Sequence, residues 1–496
     1  MNEPSKCSEY NRSALGIALN FIRRAWIWIA AISAIVLIPC YWHREIVSAD
    51  LGSHVYNAWL AQLIERGQVH GLWLARQWDN VLFDYLLSAL GTMLSWHSAE
   101  RIAVSIAVLI FFWGMFALAG AAGRQAPWRL TPLLAIFSYG WTFHMGFFNY
   151  YIGLGLSFFA IAIFWRGRGG ERWIAAALAP VIYLAHPLVV IWLAGACAYL
   201  AAAEAVRLRY QILLLAAGAS ALFGLHAYLW GHYVVEANPY DFYEMNGADQ
   251  AVLFGARYEW IARALLTFGI AALAWDVISR RREREHWKSA GIVAQLFLLA
   301  LLAVPLLPRG VHFPGTEAAV ALLTDRLTSV TAALACCLLA TMRLAKWHLA
   351  ATLAIAAVFF GFLYQDTGVV NRIESEAAQL VRTLPRNSRV LATILPLDDW
   401  RITIQHIIDR ACLGYCFSYG NYEPGSNMFR VRVNATNPYV MDDYSKAVRM
   451  EEGDYTVQAE DLPAWEVYQC DESGMKLCLD ELEAGQDNGQ FEARPK

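Results

Sequence analysis

The chain has 496 residues, 58% of them hydrophobic and 16% charged, with 20 Trp and a mean hydropathy of +0.36. A soluble domain carries about 25% charged residues, so these figures exclude a purely soluble enzyme and point to an integral membrane protein. The net charge of −3 conceals a split: from Gln365 onward there are 13 Lys and Arg against 22 Asp and Glu, while the first 364 residues carry 26 against 20. A basic, apolar body (1–364) followed by an acidic, polar tail (365–496) reads as a membrane domain and a soluble one. No basic cluster suits nucleic acid, since the densest run, Arg280-Arg281-Arg282-Glu283-Arg284, lies between two apolar segments.

A membrane-spanning helix needs about 17–25 mostly apolar residues. Segments near 25–42, 101–122, 130–145, 147–165, 173–185, 187–205, 211–231, 258–278, 289–307, 327–342 and 347–364 meet this description, which makes eleven expected spans. The first is not a cleavable signal, because Cys40-Tyr41-Trp42 offers no small-residue cleavage site. Basic residues accumulate in cytoplasmic loops. With a cytoplasmic N-terminus, 18 of the first 26 fall inside, among them Arg23, Arg24, Arg124, Arg129, Arg166, Arg207, Arg343 and Lys346. The expected class is therefore mainly α: a polytopic bundle with an extracytoplasmic α/β C-terminal domain, embedded in a bacterial inner membrane.

On this topology the outer face holds a first loop (43–100), tight turns at His144–Asn149 and His186-Pro187, further loops near 232–257 and 308–326, and the tail. In the first loop, Leu51, Val55, Trp59 and Leu63 recur at helical spacing, and Asp50, His54 and Asn57 form one polar stripe. This predicts a helix lying flat in the interface, ending near Gly67. Trp78–Trp96 gives a second amphipathic or half-inserted helix. In the tail, Asn371–Leu384 has helical spacing, Pro385–Asn387 is a turn, Arg389–Leu395 is strand-like, a helix can start at Pro396–Asp399 and carry Ile404, Ile407 and Ile408, and Phe429–Val433 alternates as a strand. Arg430 and Arg432 on that strand read as a solvated face or an anion-binding one. Cys412, Cys416, Cys470 and Cys478 all fall in the tail, and an even number in an oxidising compartment suggests two disulfides, with local pairing Cys412–Cys416 and Cys470–Cys478. Free thiols and a four-Cys metal site are the alternatives. Asn434-Ala435-Thr436 is a glycosylation sequon, relevant in a eukaryotic source.

The D-x3-H start at Asp50 and His54, the helix end at Leu60–Gly67, and the segments Phe143-His144-Met145-Gly146-Phe147-Phe148-Asn149-Tyr150 and Ala185-His186-Pro187 together resemble the GT-C superfamily of membrane glycosyltransferases. The resemblance covers the first ~200 residues best. Asp50 is followed by Leu51 where the protein mannosyltransferase branch has Asp-Glu, and Trp400-Arg401 follows Asp398-Asp399, so the oligosaccharyltransferase WWD order is absent. The resemblance implies a polyprenyl-phosphate sugar donor, a glycan, lipid or protein acceptor at the outer face, and hexosyl or pentosyl transfer with Asp50 as general base. His54 would orient Asp50 or meet phosphate. Asn57, His144, Asn149, His186, Arg257, His312 and Arg326 are the candidate substrate-binding residues. Each has a plainer reading: a helix-start carboxylate for Asp50, turn-satisfying groups for His144, Asn149 and His186, and an ion pair with Asp325 for Arg326. Tyr240, Tyr243 and Trp260 read as an aromatic belt or sugar-stacking residues. No cofactor is called for; a divalent cation is left open by the D-x3-H spacing. Two other readings stand beside the enzyme: a non-catalytic GT-C-like scaffold for envelope assembly, and a lipid or glycan transporter. The transporter reading has little behind it, since Glu204 and Asp276 sit near span ends and the halves show no repeat.

Overall fold

The computed structural model describes residues 14–239, 245–279, 284–314, 319–397, 400–404, 406–434, 437–471 and 474–488. The chain begins with α1 (Ala14–Val36), then α2 (Leu51–Glu65), the short strand β1 (Leu72–Leu74), α3 (Leu82–Gly91) and α4 (Trp96–Gly123). Next come α5 (Thr131–Ser138), α6 (Trp141–His144), α7 (Phe148–Arg166), α8 (Arg172–Ala185), α9 (Pro187–Ala205) and α10 (Gln211–His232). β2 (Val234–Glu236), α11 (Arg257–Ser279), α12 (Arg284–Leu306), β3 (Gly310–His312), α13 (Leu323–Ala340) and α14 (Lys346–Val381) complete the helical body. The tail adds β4 (Arg389–Thr393), α15 (Ile407–Cys412), β5 (Phe417–Ser418), β6 (Val431–Val433), α16 (Tyr444–Glu452), β7 (Trp465–Gln469) and β8 (Leu477–Glu481).

Eight helices among the described residues are long and apolar enough to cross a membrane: α4, α7, α9, α10, α11, the Lys288–Leu306 part of α12, α13 and α14. They coincide with eight of the eleven expected spans. The other three differ. The segment 25–42 lies mostly in α1, a 23-residue helix that starts earlier, at Ala14, and presents Trp26, Ile27, Trp28 and Ile35 outward. The segment 130–145 is not one helix but two, of 8 and 4 residues. At 1.5 Å per residue neither can cross a bilayer. The chain can restart at Trp141 because the Gln250 side chain accepts hydrogen bonds from the Thr142 amide and hydroxyl at 3.1 and 2.9 Å, satisfying the new helix start. The segment 173–185 forms α8, with 14 residues and an internal Pro180.

α4, α7 and α13 form the packed heart, locked by rings such as Phe111 stacked on Tyr151 at 4.1 Å. By contrast α10 buries only Gln211 and turns Ile212, Leu213, Phe223 and Leu225 outward, as a lipid-facing helix does.

The boundary expected at 364/365 falls inside α14, which runs unbroken for 36 residues and covers the helix expected at 371–384. Beyond it, β4 forms the strand expected from Arg389. It lies between β5 and β7, parallel to both, and β8 closes the other side of β7 antiparallel. The helix expected from Pro396 is realised later, as α15; Asp398 and Asp399 lie outside the described residues, as do Tyr240, Tyr243, Arg280–Glu283 and Ala435-Thr436. Both local disulfides are present, Cys412–Cys416 at 2.07 Å and Cys470–Cys478 at 2.04 Å.

The tail does not stand apart from the first loop. β6 pairs antiparallel with β1, Leu72 opposite Val433. The Ser418 amide donates to the Tyr56 hydroxyl at 3.0 Å, and Arg430, instead of facing solvent, pairs with Glu65 at 2.9 Å. A deeper clamp is made by Arg410, which enters between Glu100 of α4 (3.1 Å) and Glu374 of α14. Consequently the first half of α2 is covered by protein and not by an open interface. Its first seven residues, Leu51–Asn57, are all buried, because the tail roofs the face that the periodicity assigned to water.

Candidate functional site around Asp50

Asp50 sits at the N-terminal cap position of α2, yet its side chain makes no capping hydrogen bond. The position is that of the helix-start reading, with the dipole of α2 and no capping hydrogen bond to favour the carboxylate there. The residue is held by its backbone: the Asp50 amide donates to the Met145 carbonyl (3.3 Å), the Ala49 amide donates to the His144 carbonyl (2.7 Å), and the His144 ring lies 2.9 Å from the Val47 carbonyl through Nδ1. The close approach of the 144–148 turn depends on Gly146, whose φ is +83° and whose Cα faces Asp50; an added Cβ would come within 2.8 Å of the Asp50 Cβ. Only glycine combines that backbone angle with that contact.

The side chain is 25% accessible and has no hydrogen-bond partner among the described residues. Its nearest cation is His406 of the tail, with Nε2 3.8 Å from Oδ1. Burial raises the Asp50 pKa, while His406, His54 and Arg326 pull it back, in that order.

His54, expected to orient Asp50, instead addresses Asp84 of α3: Nδ1 lies 2.8 Å from Asp84 Oδ1, and Nε2 lies 3.2 Å from the Gly146 carbonyl. Both partners accept only, so both ring nitrogens must carry protons. Burial by itself would lower this pKa, but the Asp84 carboxylate, by charge and by hydrogen bond, raises it to about 9. Asn149 completes the same junction, donating to Asp84 Oδ2 (2.8 Å) and accepting from the Phe83 amide (2.7 Å). Asn57 exchanges a hydrogen bond with Asn421 of the tail at 2.8 Å. His54, Asn149 and Asn57 thus hold the loop, α3 and the tail around the carboxylate.

Arg326 and His186 do come together: Arg326 Nη1 is 3.2 Å from His186 Nε2, and the guanidinium lies over the Phe147 ring at 4.1 Å. The guanidinium has no carboxylate partner among the described residues, and its buried Nε has no hydrogen-bond acceptor. The ion pair expected with Asp325 is absent, because Asp325 is taken by Arg309 at 3.2 Å. Two candidates are committed elsewhere. Arg257 pairs with Asp366, and His312 pairs with Glu236 at 3.3 Å across the β2–β3 ladder. Trp260 is exposed. Among the described residues no group of three or more His, Cys, Asp and Glu side chains could hold a metal ion.

The sequence reading missed the tail's contribution. His406 stands at the start of α15 with Nδ1 3.1 Å from Asp409 Oδ2, and the Tyr422 ring centroid lies 5.5 Å from the imidazole. Glu423 accepts from the Ser53 hydroxyl at 2.8 Å and has its pKa raised to about 7, chiefly by burial. Gly52 was the available signal: a Cβ there would stand 2.3 Å from the His406 carbonyl oxygen, so α2 is bare where the tail must touch it. No protein-family model, curated protein or solved structure matches the chain.

Proposed function

We propose that the chain is a GT-C-type membrane glycosyltransferase, moving a hexosyl or pentosyl group from a polyprenyl-phosphate donor to a glycan, lipid or protein hydroxyl at the extracytoplasmic face. One observation carries the reading: a partly accessible carboxylate without a hydrogen bond, Asp50, and a cation without a carboxylate among the described residues, Arg326, meet the same short turn, Asp50 against Gly146 and the Arg326 guanidinium over Phe147. The acceptor oxygen attacks the anomeric carbon, the bond from that carbon to the phosphate oxygen breaks, the acceptor proton passes to Asp50, and polyprenyl phosphate leaves as an anion. The leaving group is already stabilised, so a base and a cation suffice, without the paired carboxylates of glycoside hydrolysis. Arg326 is the cation for the phosphate. No step is assigned to a divalent cation. The apolar outward face of α10 suits membrane lipids and the polyprenyl chain.

The basic inner loops and the two tail disulfides support a cytoplasmic N-terminus, an extracytoplasmic tail and a bacterial inner membrane. A reporter fused after Lys496 should behave as exported; a cytoplasmic readout puts Asp50 on the wrong side. The decisive experiment incubates the full chain in nanodiscs with synthetic polyprenyl-phosphate hexose and pentose and an envelope acceptor extract. Asp50→Asn should lower transfer by about 10²–10⁴-fold, the usual worth of a general base, with the folded yield unchanged. No transfer by the wild type from either donor gives the scaffold reading precedence.

A further inference from the structure

The His406 side chain is almost wholly enclosed, with 1% of its surface accessible, while the carboxylate it faces is partly exposed, at 25%. Three contacts fix its place. Asp409 Oδ2 holds Nδ1 at 3.1 Å, Glu451 of α16 stands 3.7 Å from the same nitrogen, and the His406 carbonyl is seated on Gly52 at the start of α2. The remaining ring edge, Nε2, has Asp50 Oδ1 at 3.8 Å. A side chain held on three sides and aimed at an otherwise unbonded carboxylate is placed for that carboxylate.

We infer that His406 is the positioning residue of Asp50: oriented by Asp409, it stands as an imidazolium behind the carboxylate and keeps it ionised, so the Asp50 site is complete only when the tail is docked. The other groups facing Asp50 are engaged differently. His54, on its own helix, is spent on Asp84; Arg326, from α13, has no carboxylate at pairing distance among the described residues; Asp409, from the tail, favours the protonated carboxyl, Glu451 of α16 acts on Asp50 as a like charge, and the Tyr422 phenol is neutral. Nδ1 donates to Asp409 at 3.1 Å, while Nε2 faces Asp50 at 3.8 Å, a distance at which the two interact by charge and not by a hydrogen bond. Burial by itself would lower the His406 pKa, but Glu451, Asp409 and Asp50 outweigh it and raise it to about 10. The use of Asp50 as a base rests on the glycosyltransferase reading; the coupling between the two side chains does not.

The coupling is read by pH-difference infrared spectroscopy of the full chain in nanodiscs, with the protonated carboxyl stretch of Asp50 identified by its loss in Asp50→Asn. In His406→Asn the Asp50 midpoint should rise by about one to three pH units, the effect of removing an opposite charge within 4–6 Å. An unchanged midpoint overturns the inference. If His406→Asn fails to fold, the reciprocal measurement decides. Linkage requires that Asp50→Asn lower the His406 midpoint, followed by ¹⁵N imidazole NMR, by a similar amount, and an unmoved midpoint there overturns it equally. Neither measurement needs a sugar. A shifted midpoint in a chain that transfers nothing sinks only the proposed function, whereas transfer with unshifted midpoints sinks only the role of His406.

Discussion

Arg326 reaches back to His186 at 3.2 Å and leaves its sequence neighbour Asp325 to Arg309. The guanidinium is packed on Phe147 with no neutralising carboxylate among the described residues, although a partly buried cation normally acquires one. Arg326→Gln should therefore strand no buried anion and leave the melting temperature close to wild type. In the transfer assay it should raise the donor KM by about 10–100-fold, the worth of one charge-assisted hydrogen bond of 1.5–3 kcal/mol. Donor titrations check this, and an unchanged KM removes Arg326 from the phosphate site.

Gly146→Ala places a methyl group 2.6 Å from the Asp50 amide nitrogen at a φ of +83°. Strain at such a position costs about 1–3 kcal/mol, and the contact must also push Asp50 away. The expected outcome is a lower melting temperature together with loss of transfer. Gly67→Ala serves as the comparison: its φ is similarly positive, at +67°, but an added Cβ meets nothing within 4 Å. It should show the strain without the loss of transfer.

The His54–Asp84 contact makes stability depend on pH in the alkaline direction. The folded pKa of about 9 lies above the ordinary 6.5, so the stabilisation is fully present below pH 6.5 and is lost as pH rises through 9. Thermal melts of the wild type should fall across that window. In His54→Gln the fall should be shallower, and an identical slope would assign it to another group.

Arg410→Met removes the cation that serves both Glu100 and Glu374. Leaving buried charges unpaired costs about 3–5 kcal/mol, so a large loss of stability is expected in detergent melts. Adding Glu100→Gln and Glu374→Gln should restore most of it, since no buried charge then remains without a partner.

Hydropathy alone located eight helices that match candidate spans among the described residues, because each must satisfy its backbone internally and carry apolar side chains toward lipid or toward the packed core. Local chemistry was equally legible. Close cysteines bonded to each other, Gly67 ended α2 with a positive φ, and the D-x3-H and H-M-G segments converged on one place. The sequence could not tell that the segment 130–145 breaks, since the group that caps the new helix, Gln250, is more than a hundred residues away. Nor could it distinguish a helix face open to water from one covered by protein: the polar stripe of α2 has the same spacing whether it meets lipid headgroups or Asn421, Glu423 and His406. The destination of each cation was decided in the same way. Arg257 and His312 found carboxylates in other elements, Arg326 found none among the described residues, and His406 reached Asp50 across some 350 residues of chain, because ion pairs form between side chains that packing brings within about 4 Å, whatever their separation in sequence.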